Sequence, residues 1–262
     1  MLDRLLKSTL ELHTYRSVLR QLVRQQLTLR YRRTALGYLW TLINPLLMMS
    51  VTALVFSALN KVDLKTFAVF LFAGMIPWNC FSSIVTQSGN SFIYNEGLIK
   101  KIYLPKIVFP LSVSLGVILD SALSFIALFF IILSIGGPLS WSLFFIPLAY
   151  VLLFFFSLGV ALLVSIATVF FRDLQHVIII AMQALFFLTP ILYKSESLAG
   201  KVAWLIRLNP VVPFIELFRA PLYLAVLPSA PVVVYAALLS LASMSCGILF
   251  FLLQEKKIVF RL

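Results

Sequence analysis

Between Lys106 and Arg172 the chain carries a single charged residue, Asp120. A water-soluble fold does not tolerate that, because each of its surface elements needs a polar face. The rest of the sequence agrees: 62% of residues are hydrophobic, 24 are Phe and only 11% are charged, against roughly half apolar in a soluble domain. Lipid is therefore the solvent for most of the chain. A hydrocarbon core about 30 Å thick takes ~20 apolar residues to cross as a helix. Six stretches qualify, at about 35–59, 67–92, 107–135, 142–170, 174–193 and 231–253. Helix is the expected form, since every backbone N–H and C=O must be satisfied within its own segment. A β-barrel strand would alternate apolar and polar residues, and "ALFFIILSI" does not. The expectation is an all-α membrane protein, with a six-helix transmembrane domain over residues 34–262 behind an N-terminal segment, 1–33.

Six crossings put both termini on one side, and Lys and Arg decide which. The N-terminal arm, the 2–3 and 4–5 loops and the tail hold fifteen, against six on the other side. Both termini are therefore expected in the cytoplasm. The formal charge of +12 follows from this bias and is poor evidence for nucleic-acid binding. The first 33 residues lack the apolar core of a signal peptide. Cys80 and Cys246 both fall in spans, without metal spacing, and read as packing residues.

Residues 10–31 read as a helix lying on the membrane surface. Leu12, Tyr15, Val18, Leu19, Leu22 and Val23 recur at three- and four-residue steps, while Arg16, Arg20 and Arg24 form a separate stripe. A basic face opposite an apolar one suits the anionic inner leaflet; packing on a protein partner is the alternative. Gly37 then allows a tight bend into the first span. Tyr38 and Trp40 suit the headgroup boundary. In the second span Pro77 should kink or break the helix. Beyond it Asn79, Ser83, Thr86 and Asn90 share one helical face. Such a stripe needs another helix or a wet cavity beside it. Asp120, costing ~2.5–3.5 kcal/mol on insertion scales, needs a partner or water. "IGGPLSW", between the third and fourth spans, predicts a tight hairpin.

Two stretches fit poorly with simple crossings. Residues 194–229 are too apolar for a wet loop, yet Pro210, Pro213, Pro221 and Pro228 leave pieces too short to span. Two short helices, about 198–208 and 213–226, dipping into the outer leaflet would form an outer gate, with Arg207, Glu216 and Arg219 at the water boundary or lining an opening. The other stretch is "NEGLIKKIYLPKIVFP", with Lys100, Lys101 and Lys106 between the second and third spans. It predicts a short helix ending before Pro105. Its Leu98, Ile99 and Ile102 suit a groove on a cytoplasmic partner; a plain basic loop is the alternative.

Missing chemistry narrows the function. His13 and His176 lie far apart, no His/Asp/Glu cluster suggests a metal, and no G-x-S-x-G or H-E-x-x-H occurs. The Gly200–Lys201 pair lacks the earlier glycine of a phosphate-binding loop, since position 195 is Ser. No cofactor is expected in this chain. A membrane-embedded transferase would have only Asp120, Asp173, His176 and Glu216 to work with, in no evident constellation. A secondary transporter would usually carry more ionisable groups at midplane and a repeat. A conduit without its own engine remains.

Several motifs in order then carry a resemblance: "LTLRYRRTALGYLWTLINPLLMM", "GMIPWNCFSSIVTQSGNSFIYNEGLIKKIYLPKIVFP", "FRDLQHVI" and "LTPILY" followed by "LNPVVPFIELFR". From about residue 10 to 255 the chain resembles the permease subunits of polysaccharide ABC exporters, the Wzm-type branch of type-2 ABC transporters. The resemblance implies a homodimer with two copies of a separate cytoplasmic ATPase that binds ATP and Mg. It also implies export of a polyprenyl-pyrophosphate-linked polysaccharide across the bacterial inner membrane. A coupling helix matches about 95–105, with Glu96, Gly97, Leu98, Lys100, Lys101, Ile102 and Tyr103 as its candidates. Arg30, Arg32 and Arg33 beside Leu36 and Gly37 are candidates to meet the lipid pyrophosphate, which needs cations or N–H donors. The resemblance implies a channel lined by aromatic rings, which can stack on sugar faces. Tyr38, Trp40, Trp78, Phe186, Phe187 and Tyr193 are candidates, with the polar stripe of Asn79, Ser83, Thr86 and Asn90. The outer gate matches 198–226. Export of a small lipid or drug by the same architecture is the alternative cargo.

Overall fold

A computed structural model describes residues 14–30, 34–135, 140–193 and 201–262. His13, Arg32, Arg33 and the expected hairpin at 136–139 lie outside the described residues, as do the side chains of Arg30, Tyr38 and Arg207. Among the described residues every regular element is a helix. In chain order these are α1 (Arg16–Arg30), α2 (Trp40–Asn60), α3 (Leu64–Gly89), α4 (Ser91–Tyr94), α5 (Glu96–Lys101), α6 (Val108–Ile135), α7 (Ile146–Phe170), α8 (Leu174–Leu188), α9 (Lys201–Leu208), α10 (Val212–Arg219) and α11 (Ala230–Arg261). Short 3₁₀ turns at Gly37–Leu39 and Trp141–Phe145 lead into α2 and α7, and a π turn, Ala220–Leu224, follows α10.

Five helical stretches are long and apolar enough to cross a membrane: Leu42–Leu59, Leu64–Gly89, Val108–Leu133, Trp141–Phe170 and Ala230–Arg261. The sixth expected crossing is shorter than the apolar run that suggested it. α8 has 15 residues, about 22 Å at 1.5 Å per residue. It stops where Thr189 turns extended ahead of Pro190, because the residue before proline is driven out of helical geometry. The last helix errs the other way. α11 has 32 residues, about 48 Å of helix, so its Lys256, Lys257 and Arg261 extend the crossing by more than two turns.

α3 is the hub. Its spanning window is 72% buried, against 17% for that of α2, so α2 presents most of its surface outward. α3 also runs unbroken through Pro77, where the sequence predicts a kink or break. Proline removes one N–H, and Pro77 is buried among the bundle's helices, where neighbours help a helix tolerate it. The turn between α2 and α3 is built locally. Lys61 takes a left-handed conformation at φ 53°, and Asp63 caps α3 by accepting from the Thr66 backbone at 3.0 Å. That bond holds the Asp63 carboxyl below the usual carboxylate range.

α7 and α11 form the tightest pair. A Cβ at Gly159 would lie 2.4 Å from the Ser243 backbone, and one at Gly247 2.5 Å from the Gly159 carbonyl oxygen. Small residues let the two backbones touch. Ser240 Oγ donates to Leu152 O and Ser243 Oγ to Phe156 O, each at 2.8 Å.

α1 docks along α6. Leu22 is buried, and Tyr15, Val18 and Leu19 pack on a cluster that includes Phe92, Val108, Phe109 and Ile166. Gln26 Nε2 donates to Ser112 Oγ at 3.2 Å. Four residues of the expected apolar face, Tyr15, Val18, Leu19 and Leu22, thus meet the protein's own core, while Arg16, Arg20 and Arg24 stay exposed. Gly37, at φ +51°, makes the bend into α2 as its sequence position predicts.

Candidate functional site

The polar stripe of α3 divides between two hollows. On one flank, α3 and α8 enclose a groove of about 370 Å³ lined by Trp78, Asn79, Ser82, Thr86, Ile179, Met182, Gln183, Phe186 and Phe187. Trp78 and Phe186 meet with ring centroids 5.7 Å apart, and Phe186 meets Phe187 edge-on at 5.5 Å. Phe187 is 68% exposed. Gln175, at the start of α8, ties the two helices by donating from Nε2 to Thr86 O at 2.9 Å. Five expected channel residues, Trp78, Asn79, Thr86, Phe186 and Phe187, are brought together here. Gln183 and Met182 were missed: a lone amide and a thioether in an apolar run show no periodicity until the helix opposite is known.

On the other flank, α2, α3 and α6 surround a second hollow of about 370 Å³. Asn44, Asn79, Ser83, Gln87, Asp120, Ser121 and Ser124 supply its polar wall, and Met48, Met49 and Met75 much of the rest. Asp120 therefore sits at a cavity inside the bundle, as its cost in lipid demands. Ser121 and Tyr150 exchange hydrogen bonds: their hydroxyls lie 3.1 Å apart, and Tyr150 donates to the Ser121 carbonyl at 3.0 Å. The Tyr150 ring then packs edge-on against Phe218 of α10 at 4.9 Å. Ser83 belongs to this hollow and not to the aromatic groove. Asn90 ends α3, donating to Tyr94 Oη at 3.4 Å. Trp40 lines neither hollow. Tyr193 lies past the end of α8, its hydroxyl donating to Phe187 O at 2.8 Å.

At the end of the bundle near residues 95–106, α5 spans Glu96–Lys101 with none of its residues buried. Glu96 and Lys100 pair one turn apart, and the Lys100 hydrogen bond holds the Glu96 carboxyl below its ordinary range. Leu98 and Ile99 pack on the protein's own core, so the segment's outward apolar surface comes from Tyr94, Ile102 and Tyr103, which are 80%, 49% and 75% exposed. Lys106 turns inward and donates to the Glu255 carbonyl of α11 at 2.8 Å; burial lowers its ammonium pKa. Leu36 and Gly37, the described backbone part of the expected pyrophosphate site, form the turn before α2, with Leu36 43% exposed.

The opposite end holds α9 and α10, close to the two short helices expected. They differ sharply in depth. α9 exposes Trp204, Leu205 and Leu208, whereas α10 buries Pro213, Phe214, Ile215, Leu217 and Phe218. Phe214 stacks on Phe156 at 4.6 Å, which stacks in turn on Phe81 at 5.4 Å. Asn209 fastens the link between the two helices: its Nδ2 donates to Thr189 Oγ1 at 2.8 Å and its Oδ1 accepts from Val211 N at 3.0 Å. Glu216 is exposed. Arg219 is turned into the protein, toward Pro190, Ile191 and Phe70.

A bundle of long apolar helices around polar, aromatic-lined hollows defines the class: a multi-pass membrane protein of the transporter kind. The sequence profile of the ABC-2 type transporter family matches residues 17–223, and the chain belongs to that family. It is 34% identical over 197 residues to the O-antigen export system permease protein RfbA of Klebsiella pneumoniae, covering 74% of this chain and 76% of that protein. It is 31% identical over 230 residues to the protein of the same name from Myxococcus xanthus, covering 87% and 88%. To the polysialic acid transport protein KpsM of Escherichia coli it is 24% identical over 239 residues, covering 88% and 91%.

Proposed function

We propose that this chain is the channel-forming permease subunit of an ATP-driven exporter of lipid-linked polysaccharide, of the O-antigen, capsule or teichoic acid type, across the bacterial cytoplasmic membrane. Two copies form a homodimer, served by two copies of a cytoplasmic ABC ATPase that binds ATP and Mg. α8 and its continuation complete six crossings, α1 lies at the membrane surface within the 1–33 segment, and both termini face the cytoplasm. The observation that carries this reading is the α3–α8 groove. Its rings offer faces to sugars, and its amides and hydroxyls can exchange hydrogen bonds with a sliding polymer, so grip is spread over many weak contacts. The names of the relatives support the same cargo.

The parts then take roles. Tyr94, Ile102 and Tyr103, with Lys100 and Lys101, give the ATPase a surface to push; Glu96, Gly97 and Leu98 shape the helix that presents it. Arg30, Arg32 and Arg33, beside Leu36 and Gly37, receive the lipid pyrophosphate. Ser83, Asn90, Tyr38, Trp40 and Tyr193 extend the path, and Arg207, Glu216 and Arg219 belong to the outer gate. Phe187→Ala together with Gln183→Ala tests the groove, since both side chains are exposed and their loss leaves the core intact. Surface polysaccharide should fall severalfold at unchanged amounts of the chain in the membrane. Undiminished polymer would overturn the reading. Lys100→Glu with Ile102→Asp should separate ATP hydrolysis from export in the purified complex.

A further inference from the structure

Arg219 ends α10, yet its contacts lie on two other elements. Nη1 donates to Pro190 O at 2.5 Å and Nη2 to Ile191 O at 2.8 Å, the carbonyls just beyond α8. The guanidinium carbon lies 3.8 Å above the centre of the Phe70 ring on α3. One turn along α3 the chain makes space for it: a Cβ at Gly74 would lie 2.8 Å from Nη2. Two charge-assisted hydrogen bonds, a ring face and a glycine notch converge on one side chain. A cation in such a place is costly unless held, and planar guanidinium is suited to gripping two neighbouring carbonyls while lying on a ring.

We infer that Arg219 is a positioning residue that ties α10 to the end of the groove helix α8 and to α3, so that the outer end moves with the groove wall and stays shut at rest. The carbonyls that it holds, just beyond α8, come three and four residues after Phe187. α10 is otherwise sunk in the core through Phe214 and Phe218, while α9 buries Ile206 and exposes Trp204, Leu205 and Leu208. Motion at this end therefore falls to α9 unless the tie lets go. The inference rests on reading the α3–α8 groove as part of the passage.

The test uses the full-length chain with its ATPase in liposomes loaded with carboxyfluorescein, without ATP or polymer. Arg219→Met keeps the stem and removes both bonds. Dye release should rise about tenfold, within the range usual for coupled elements. Arg219→Lys should restore part of the seal through one carbonyl, and Gly74→Ala should leak with Arg219 intact, because it crowds Nη2. Lys65→Met, which removes an exposed cation at the same end, should not leak. If Arg219→Met and Gly74→Ala both stay as tight as the parent, the tie is wrong. Should Arg219→Met fail to accumulate, Gly74→Ala decides alone, since a methyl group there displaces only the tip of a flexible side chain. Equal leak from Arg219→Lys and Arg219→Met would also overturn it, reducing the residue to a spacer. Dye release requires no polymer, so its outcome is separate from that of the export assay.

Discussion

Serine lines both the α7–α11 interface and the hollows flanking α3, with opposite results. Between α7 and α11, Ser240 and Ser243 reach across to carbonyls of the facing helix at 2.8 Å. Around α3, Ser82 and Ser83 line cavities, and Ser124 lines one while its Oγ donates to Asp120 O of its own helix at 3.1 Å. The neighbours make the difference. Gly159 and Gly247 allow two backbones to touch, whereas bulky Met48, Met49, Met75, Trp78 and Phe186 line the hollows beside α3. Without water between helices to drive association, close backbone packing is the main adhesive. Where bulk prevents it, polar groups are left to face a space. One interface holds the bundle together and the other leaves hollows beside α3.

Adding bulk on each side should break or sharpen that contrast. Gly159→Val should have the largest effect, exceeding the ~1–3 kcal/mol of ordinary overpacking because the methyl groups meet backbone and not a movable side chain. Thermal unfolding of the purified protein in lipid would show it. A variant with parental stability would mean that α7 and α11 separate at little cost. Ser243→Ala, which deletes one bond without adding volume, should lower stability by about 0.6 kcal/mol. Ser83→Leu should alter stability by less than ~0.5 kcal/mol, since the hollow beside it accepts the added carbons. If it destabilises as strongly as Gly159→Val, the hollow is closed in the working protein.

The smallest effect is expected at α5. The lowered Glu96 pKa means that its pairing with Lys100 contributes above the ordinary value of 4.5 and fades as pH falls through the depressed one. Glu96→Gln should therefore loosen the 98–101 amides at pH 7, seen by hydrogen exchange, and make no difference once the parent carboxyl is protonated. Global stability should not change, as an exposed helix pair contributes little to the fold.

Much of this was legible in the chain. The helices of the spans, the bend at Gly37, the short helix at 96–101 and the pair at 201–219 follow from apolar run length, φ > 0 and proline placement, all local properties. The α3 stripe was legible as polar, and Phe186 and Phe187 as aromatic, but which of them meet was not. Gln183 and Ser124 carry no mark of a cavity in the sequence. Arg219, beside Glu216 in a proline-rich stretch, reads as a charge at the water boundary or lining an opening; its partners lie 28 and 29 residues upstream as backbone carbonyls, which no side-chain pattern announces. Pro77 reads as a kink or a break because propensity describes an isolated helix, and α3 continues through it with neighbours around it.

What the sequence determined by itself is the solvent: a chain this apolar must live in lipid, where unpaired backbone forces helices and run length sets how many can cross. The tertiary structure alone decided where those helices touch and where they stand apart. That depends on which small and large side chains face each other across helices distant in sequence, a matter of shape on which hydrophobic content is silent.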